Sequence, residues 1–281
     1  MQQPPSRKAS KRNRVLLLLF FVVSCSGDSA RNRYLLAEKF WNQGRYAAAV
    51  SEFEKVIQKD PKSKLGLLAL YRAAVTQALY LSQYSEAVKK FYTFIESSGD
   101  TPTSWDAQKQ IGEIFFTKTE QYDQANQHYR ALLKLKPRAT DAPEFLFRVG
   151  KSHFFQWQFD DAVKAYKELI KRYEKTKWAE KAAYEIGVTY FTRGEQQPPD
   201  KDPGKEAYQE AIDSFQQFLK NYPNSQWVAE AKFGIANCLE EMDQLDAAYY
   251  QYEALKSTYP SPRVIEIKLI RIKERKEQRS R

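Results

Sequence analysis

The stretch Tyr208-Gln-Glu-Ala-Ile-Asp-Ser-Phe-Gln-Gln-Phe-Leu-Lys-Asn-Tyr-Pro-Asn-Ser-Gln-Trp-Val-Ala-Glu-Ala-Lys-Phe-Gly-Ile-Ala-Asn-Cys-Leu239 decides the fold. Ala211, Phe215 and Phe218-Leu219 fall at helical spacing, and Tyr222-Pro223 ends that helix because proline cannot continue it. Trp227 to Leu239 then reads as a second helix, so the stretch is a helix, a hinge and a helix.

The unit recurs wherever an Ala is followed four residues later by an aromatic: Ala49/Phe53, Ala87/Phe91, Ala125/Tyr129, Ala162/Tyr166, Ala211/Phe215 and Ala248/Tyr252. Successive alanines are 38, 38, 37, 49 and 37 residues apart, so one spacing carries about twelve extra residues. About twelve residues before each Ala stands a small or slim residue: Ala37, Val75, Gly150 and Ala236, joined by Gly112 and Gly187 when insertions in the turn are allowed. Two helices of a hairpin cross at these points, and axes only ~8–10 Å apart leave no room for bulk.

This pattern resembles the tetratricopeptide repeat (TPR), carried by Leu36-Ala37, Gly44, Tyr46, Ala49, Phe53 and Pro61 in the first copy and by Gly150, Phe159, Ala162 and Tyr166 in the fourth. The resemblance implies an all-α fold, a right-handed TPR superhelix of six helix-turn-helix repeats over residues 33–262. The repeats cover 33–61, 65–99, 104–137, 143–173, 178–223 and 225–260, and a basic capping helix follows over 263–281, with Ile265, Leu269 and Ile272 on one face. That helix reads either as a cap or as a segment drawn to anionic lipid. The extra residues of repeat five, 195–205, contain three Pro and one Gly, which argue against helix there, and read as a tolerated surface insertion or a partner contact.

The formal charge of +10 suggests nucleic acid until it is partitioned. Residues 1–24 and 263–281 hold thirteen of the 45 Lys and Arg, and the array between carries 32 bases and 32 acids. A neutral array lacks the basic stripe that displaces counterions, so nucleic-acid binding across its face is disfavoured.

Arg7, Lys8, Lys11, Arg12 and Arg14 precede nine apolar residues, Val15 to Val23. A membrane span needs roughly 20 such residues, whereas this run suits a secretory signal over residues 1–24. Val22-Val23-Ser24-Cys25 resembles the bacterial lipoprotein box, which implies acylation of Cys25, a tether over 25–32 and an outer-membrane location on the periplasmic face. An ordinary signal peptide cut nearby and an uncleaved anchor are the alternatives. With Cys25 lipidated, Cys238 is left without an intrachain partner and reads as a small buried residue.

No catalytic constellation, metal-ligand spacing or cofactor loop is present in the pattern. His128 and His153 lack a second ligand at metal spacing, the glycines are scattered, and Glu240-Glu241 reads as a solvated face. Asp202-Pro203, Ala211, Phe215, Tyr222-Pro223-Asn224-Ser225-Gln226 and Ala229 resemble the TPR lipoprotein subunit of the outer-membrane β-barrel assembly machinery, the BamD-like family. That resemblance implies a non-enzymatic scaffold for outer-membrane or envelope protein partners. The alternatives are a periplasmic TPR coordinator of cell-wall synthesis or envelope constriction, and an enzyme of unknown type.

TPR proteins point certain first-helix positions at a concave wall. Carried over, these include Tyr34, Trp41, Arg72, Tyr80, Lys109, Phe116, Phe147, Lys151, Phe154, Phe155, Tyr184 and Phe191. The run of aromatics reads either as packing between repeats or as a groove for an apolar partner segment, with Lys109 and Lys151 meeting acidic groups.

Overall fold

The structure, a computed structural model, describes residues 25–196 and 202–279, with side chains from 29–196 and 204–279. The signal segment 1–24 and the Cys25 side chain lie outside the described residues. Every regular element described is helical. Six hairpins follow one another: α1 (Cys25–Asn42) with α2 (Tyr46–Lys59), α3 (Lys64–Tyr80) with α4 (Tyr84–Ser98), and α5 (Pro102–Glu113), extended by a π-helical turn (Ile114–Lys118), with α6 (Tyr122–Leu135). Then come α7 (Ala142–Phe155) with α8 (Phe159–Arg172), α9 (Lys177–Glu195) with α10 (Asp202–Asn221), and α11 (Val228–Glu241) with α12 (Leu245–Leu255). Helix α13 (Pro262–Arg279) ends the series. The helices group into two compact units, up to Ile111 and from Gly112 onward, where the sequence suggested one uninterrupted array.

Each hairpin closes on the small residues that the repeat supplies. Ala49, Ala87, Ala125, Ala162, Ala211 and Ala248 are all fully buried. Opposite them, the aromatic four residues on lies flat against the first helix. A Cβ added to Gly112 would stand 2.6 Å from Tyr129 Cε1, one on Gly150 would stand 2.7 Å from Tyr166 Cδ1, and one on Gly187 would stand 2.5 Å from Phe215 Cδ1. No relaxed side chain tolerates such distances, so these helices approach only because hydrogen stands where a methyl would.

The turns explain the irregular spacing of the alanines. In hairpins one, four and six the residue that opens the second helix bonds back to a carbonyl five residues earlier: Arg45 to Phe40 at 2.9 Å, Gln158 to His153 at 3.0 Å and Gln244 to Leu239 at 2.8 Å. In hairpins two and three the bond reaches six residues back, Gln83 to Gln77 and Gln121 to Phe115. That one residue is the difference between the 38- and 37-residue spacings. In hairpin three it is wound into the π-helical turn, where Thr119 N–H bonds Ile114 C=O at 3.0 Å. In hairpin two it moves the crossing point from Val75, which is only half-buried, to the fully buried Ala74. Each of these five turns carries one left-handed residue just before the second helix: Gly44, Ser82, Glu120, Trp157 and Asp243.

Three further expectations change. Residues 25–32, read as a tether, lie within α1, where Ala30 is buried and Ser29 meets Lys59 of α2. The insertion is shorter than its composition suggests, because Asp202-Pro203-Gly204-Lys205 already forms the first turn of α10. Proline is tolerated there, since first-turn N–H groups have no helical acceptor. Glu240, read as solvated, is fully buried.

Glu240 holds the cap in place. Lys268 donates to its Oε2 at 2.9 Å, Arg271 stands 2.6 Å from Oε1, Arg275 stands 3.6 Å from Oε1, and Tyr252 donates its hydroxyl to Oε2 at 2.9 Å. All three cations belong to α13, whose Ile265, Leu269 and Ile272 bury against Ala236, Leu245, Tyr252 and Leu255. Burial alone would raise the Glu240 pKa, but the Lys268 hydrogen bond and charge, with the Tyr252 and Arg271 contributions, bring the net shift below the ordinary carboxylate value of 4.5.

Two outcomes follow for stability. Gly150→Ala should cost about 1–3 kcal/mol in thermal or urea denaturation, because Tyr166 is enclosed and cannot yield to a methyl. Glu240→Gln should cost about 1–3 kcal/mol, less than a fully enclosed pair because the cations keep solvent contact, and should make the α13 segment the first site of limited proteolysis. The sign of the pH dependence is fixed by the lowered folded-state pKa. The Glu240 contribution is complete above about pH 4.5 and fades as pH falls through the lower folded value, and the Gln variant should lack that part of the acid sensitivity.

Candidate functional site: the first-helix walls

In the first unit the wall residues come from α1 and α3. Arg72 of α3 grips Glu38 of α1 with two hydrogen bonds, Nε to Oε1 at 2.9 Å and Nη2 to Oε2 at 2.8 Å, and its guanidinium lies 4.6 Å from the Trp41 ring centre. Burial and the Glu38 charge push the Tyr34 phenol up to about 12, so it stays a neutral donor. Trp41 meets Tyr80 edge-on at 5.6 Å, and Tyr80 stacks on Tyr46 at 4.1 Å. Leu79 and Tyr80 remain 58% and 44% exposed, an apolar ledge beside a charge pair that is already neutralised. Lys109 is half-buried and pairs with Asp106 at 3.0 Å.

In the second unit the run of aromatics divides. Phe116 and Phe147 are buried core residues, which corrects their reading as groove anchors. Arg148 lies over Phe116 at 4.6 Å, and Phe147 packs on Trp178 at 5.1 Å and Tyr166 at 5.7 Å. Tyr184 is half-buried among Phe215, Phe218 and Trp227, and burial with Glu185 pushes its phenol up to about 12. Phe191 leans on Tyr208 at 5.7 Å. Phe154 is half-buried, and Phe155 is 42% exposed. Lys151 is no free cation for a partner: its ammonium lies 4.5 Å and 4.9 Å from those two ring centres and pairs with the buried Glu185 at 3.3 Å.

Sequence reasoning missed two features. The first is that charges on the wall are paired between successive first helices. Glu38 with Arg72, Lys151 with Glu185, and Glu113 with Arg148 at 3.5 Å stand 34 or 35 residues apart, so opposite charges one TPR period apart were the available signal. The second is the row of aromatics at the hairpin turns, Tyr122, Trp157 and Phe159, which no first-helix template contains.

Cys238 and His153 have structural roles. Burial pushes the Cys238 thiol up to about 12, which leaves it protonated and unreactive. His153 Nε2 lies 2.7 Å from Asn126 Nδ2, and Nδ1 lies 2.6 Å from Gln158 Oε1. Asn126 also accepts from Arg130 Nε at 3.1 Å through Oδ1, so its amide donates to Nε2 and the histidine proton sits on Nδ1. Among the described residues no cluster of three His, Cys, Asp or Glu could hold a metal ion, and no described helix is long and apolar enough to cross a membrane.

Comparison with known proteins gives the following. Residues 32–63 match the tetratricopeptide repeat model. A TPR protein from Parabacteroides merdae superposes with a TM-score of 0.52 at 15% identity, over 90% of this chain and 89% of that one. The C-terminal part of a TPR protein from Cytophaga hutchinsonii superposes with a TM-score of 0.53 at 22% identity, over 80% and 78%. At these identities the likeness shows the fold. No curated protein matches the sequence. Residues 67–265 match the model of the YfiO outer membrane lipoprotein family. They take in most of the hairpins and the start of α13, and the chain belongs to that family.

Proposed function

We propose that the protein is a scaffold anchored to the periplasmic face of the outer membrane by lipid on Cys25, and that it serves the assembly of outer-membrane β-barrel proteins. Membership of the outer membrane lipoprotein family carries this reading. The leader is consistent with it: nine apolar residues end at Ser24-Cys25, too few for a span, while two or more acyl chains give stable attachment. The walls supply what a scaffold needs, exposed apolar side chains on helices packed together within each unit. The protein acts by binding, a reading that the tetratricopeptide repeat and the outer membrane lipoprotein family support.

Cys25→Ala should leave an unprocessed precursor and move the protein out of the outer-membrane fraction, read by fractionation in high salt. A mature-sized, membrane-bound variant would overturn the lipid anchor. Leu79→Glu should weaken capture of crosslinked envelope partners by about tenfold or more while the melting curve stays close to the parent, since that side chain is 58% exposed. Recovery of β-barrel assembly proteins in the crosslinked material supports the assembly role, and recovery of cell-wall synthases in their place would redirect it.

A further inference from the structure

The turn of the fourth hairpin departs from its relatives in the same chain. Four of the five left-handed turn positions are Gly44, Ser82, Glu120 and Asp243, small or polar residues. The fifth is Trp157, at φ 62° and 59% exposed. A bulky side chain in this region is sterically disfavoured, and an indole with most of its surface in water adds little to the core. The position therefore carries two costs that folding does not require.

The ring does not stand alone. Trp157 meets Phe159 edge-on at 5.9 Å, Phe159 meets Phe154 at 6.0 Å, Phe154 meets Phe155 at 5.7 Å, and Phe155 stacks on Tyr122 at 5.0 Å. Five rings thus bridge the turns of the third and fourth hairpins. The segments that carry those turns, 118–123 and 156–161, hold four carboxylates, Glu120, Asp123, Asp160 and Asp161, against one cation, Lys118. Glu120 and Asp123 make no ion pair among the described residues, and Asp160, though paired with Arg193 at 3.1 Å, keeps 79% of its side chain exposed. Asp161 is paired with Lys164 at 3.0 Å.

We propose that this edge is a second docking surface, one that meets the first-helix wall at Phe155, and that its occupant is a basic amphipathic segment of a protein partner. Its aliphatic residues lie on Phe155 and Trp157, and its Lys or Arg side chains reach Glu120, Asp123 and Asp160 or cover the faces of Tyr122 and Trp157. The carboxylate rim argues against an anionic bilayer, which the same charges would repel. The proposal rests on the scaffold reading and names the chemistry of one of its partners.

The test uses the full chain, a synthetic amphipathic helix of Leu and Lys, and its Leu and Glu counterpart, measured by calorimetry at about 0.15 M salt. The wild type should bind the basic peptide and not the acidic one. Trp157→Gly, which suits the left-handed turn, should keep or raise the melting temperature while weakening the basic peptide by about tenfold. The pair Glu120→Lys with Asp123→Lys should do the same to binding. Equal affinity of wild type and Trp157→Gly, or equal binding of both peptides, overturns the proposal. So does Trp157-dependent binding of phosphatidylglycerol vesicles in place of the peptide, or a Trp157-dependent dimer in the ultracentrifuge. If Trp157→Gly leaves every crosslinked envelope partner in place, the docking surface fails while the scaffold reading stands.

Discussion

The close approach of two helices, allowed by a glycine or alanine facing an aromatic ring, is the constraint on which the rest of this structure depends. Tyr129, Tyr166 and Phe215 each lie so near a first-helix glycine that a single methyl would overlap them. Rings held this way bury most of their surface in a hairpin too thin to have any other core. They also leave little freedom in the crossing point, which is why an inserted residue cannot be absorbed anywhere along the helices. It goes to the turn, as a π-helical winding in the third hairpin and as a shifted crossing residue in the second.

A solenoid of such hairpins has a problem at its end, because the last face that a following repeat would cover is left open. Here α13 covers it, and the grip is both apolar and ionic. Ile265, Leu269 and Ile272 supply the area, while Glu240 supplies a single buried anion that three cations of α13 share. One carboxylate set against three positive charges converts a sliding apolar contact into a fixed register, since a shift along the helix would leave the anion buried without a counter-charge. The basic character of the C-terminal segment, which suggests lipid when read as composition, is in good part the requirement of this clamp.

Much of the architecture was legible because it follows from periodicity. Six Ala–aromatic pairs fixed the hairpins, and proline-bearing hinges fixed their ends. What was not legible depended on neighbours distant in sequence. Glu240 looks like a solvated acid until α13 is folded onto it, and residues 25–32 look like a tether until Arg33 and Ser29 find Glu52 and Lys59 on α2. The wall aromatics were placed on the right helices, but a helix template cannot tell Phe116 and Phe147, which neighbouring helices bury, from Phe155, which they do not. That distinction lies in the packing of one hairpin on the next, where Trp178 covers Phe147 and Arg148 covers Phe116.

The pairing of charges along the walls has a consequence for recognition. Arg72 with Glu38, Arg148 with Glu113 and Lys151 with Glu185 each join one first helix to the next, so the most prominent charges on these surfaces are satisfied within the protein. A partner that approached for its charge would have to displace a neighbour already held at hydrogen-bonding distance, with a loss nearly equal to the gain. Recognition on the proposed walls would then fall to shape and to apolar contact with side chains such as Leu79, Tyr80 and Phe155. At the turns the balance is reversed: Glu120 and Asp123 have no internal counter-ion among the described residues and stand beside Tyr122. On the proposal above, the turns would select a partner by charge where the walls would select by apolar contact, with Phe155 common to both.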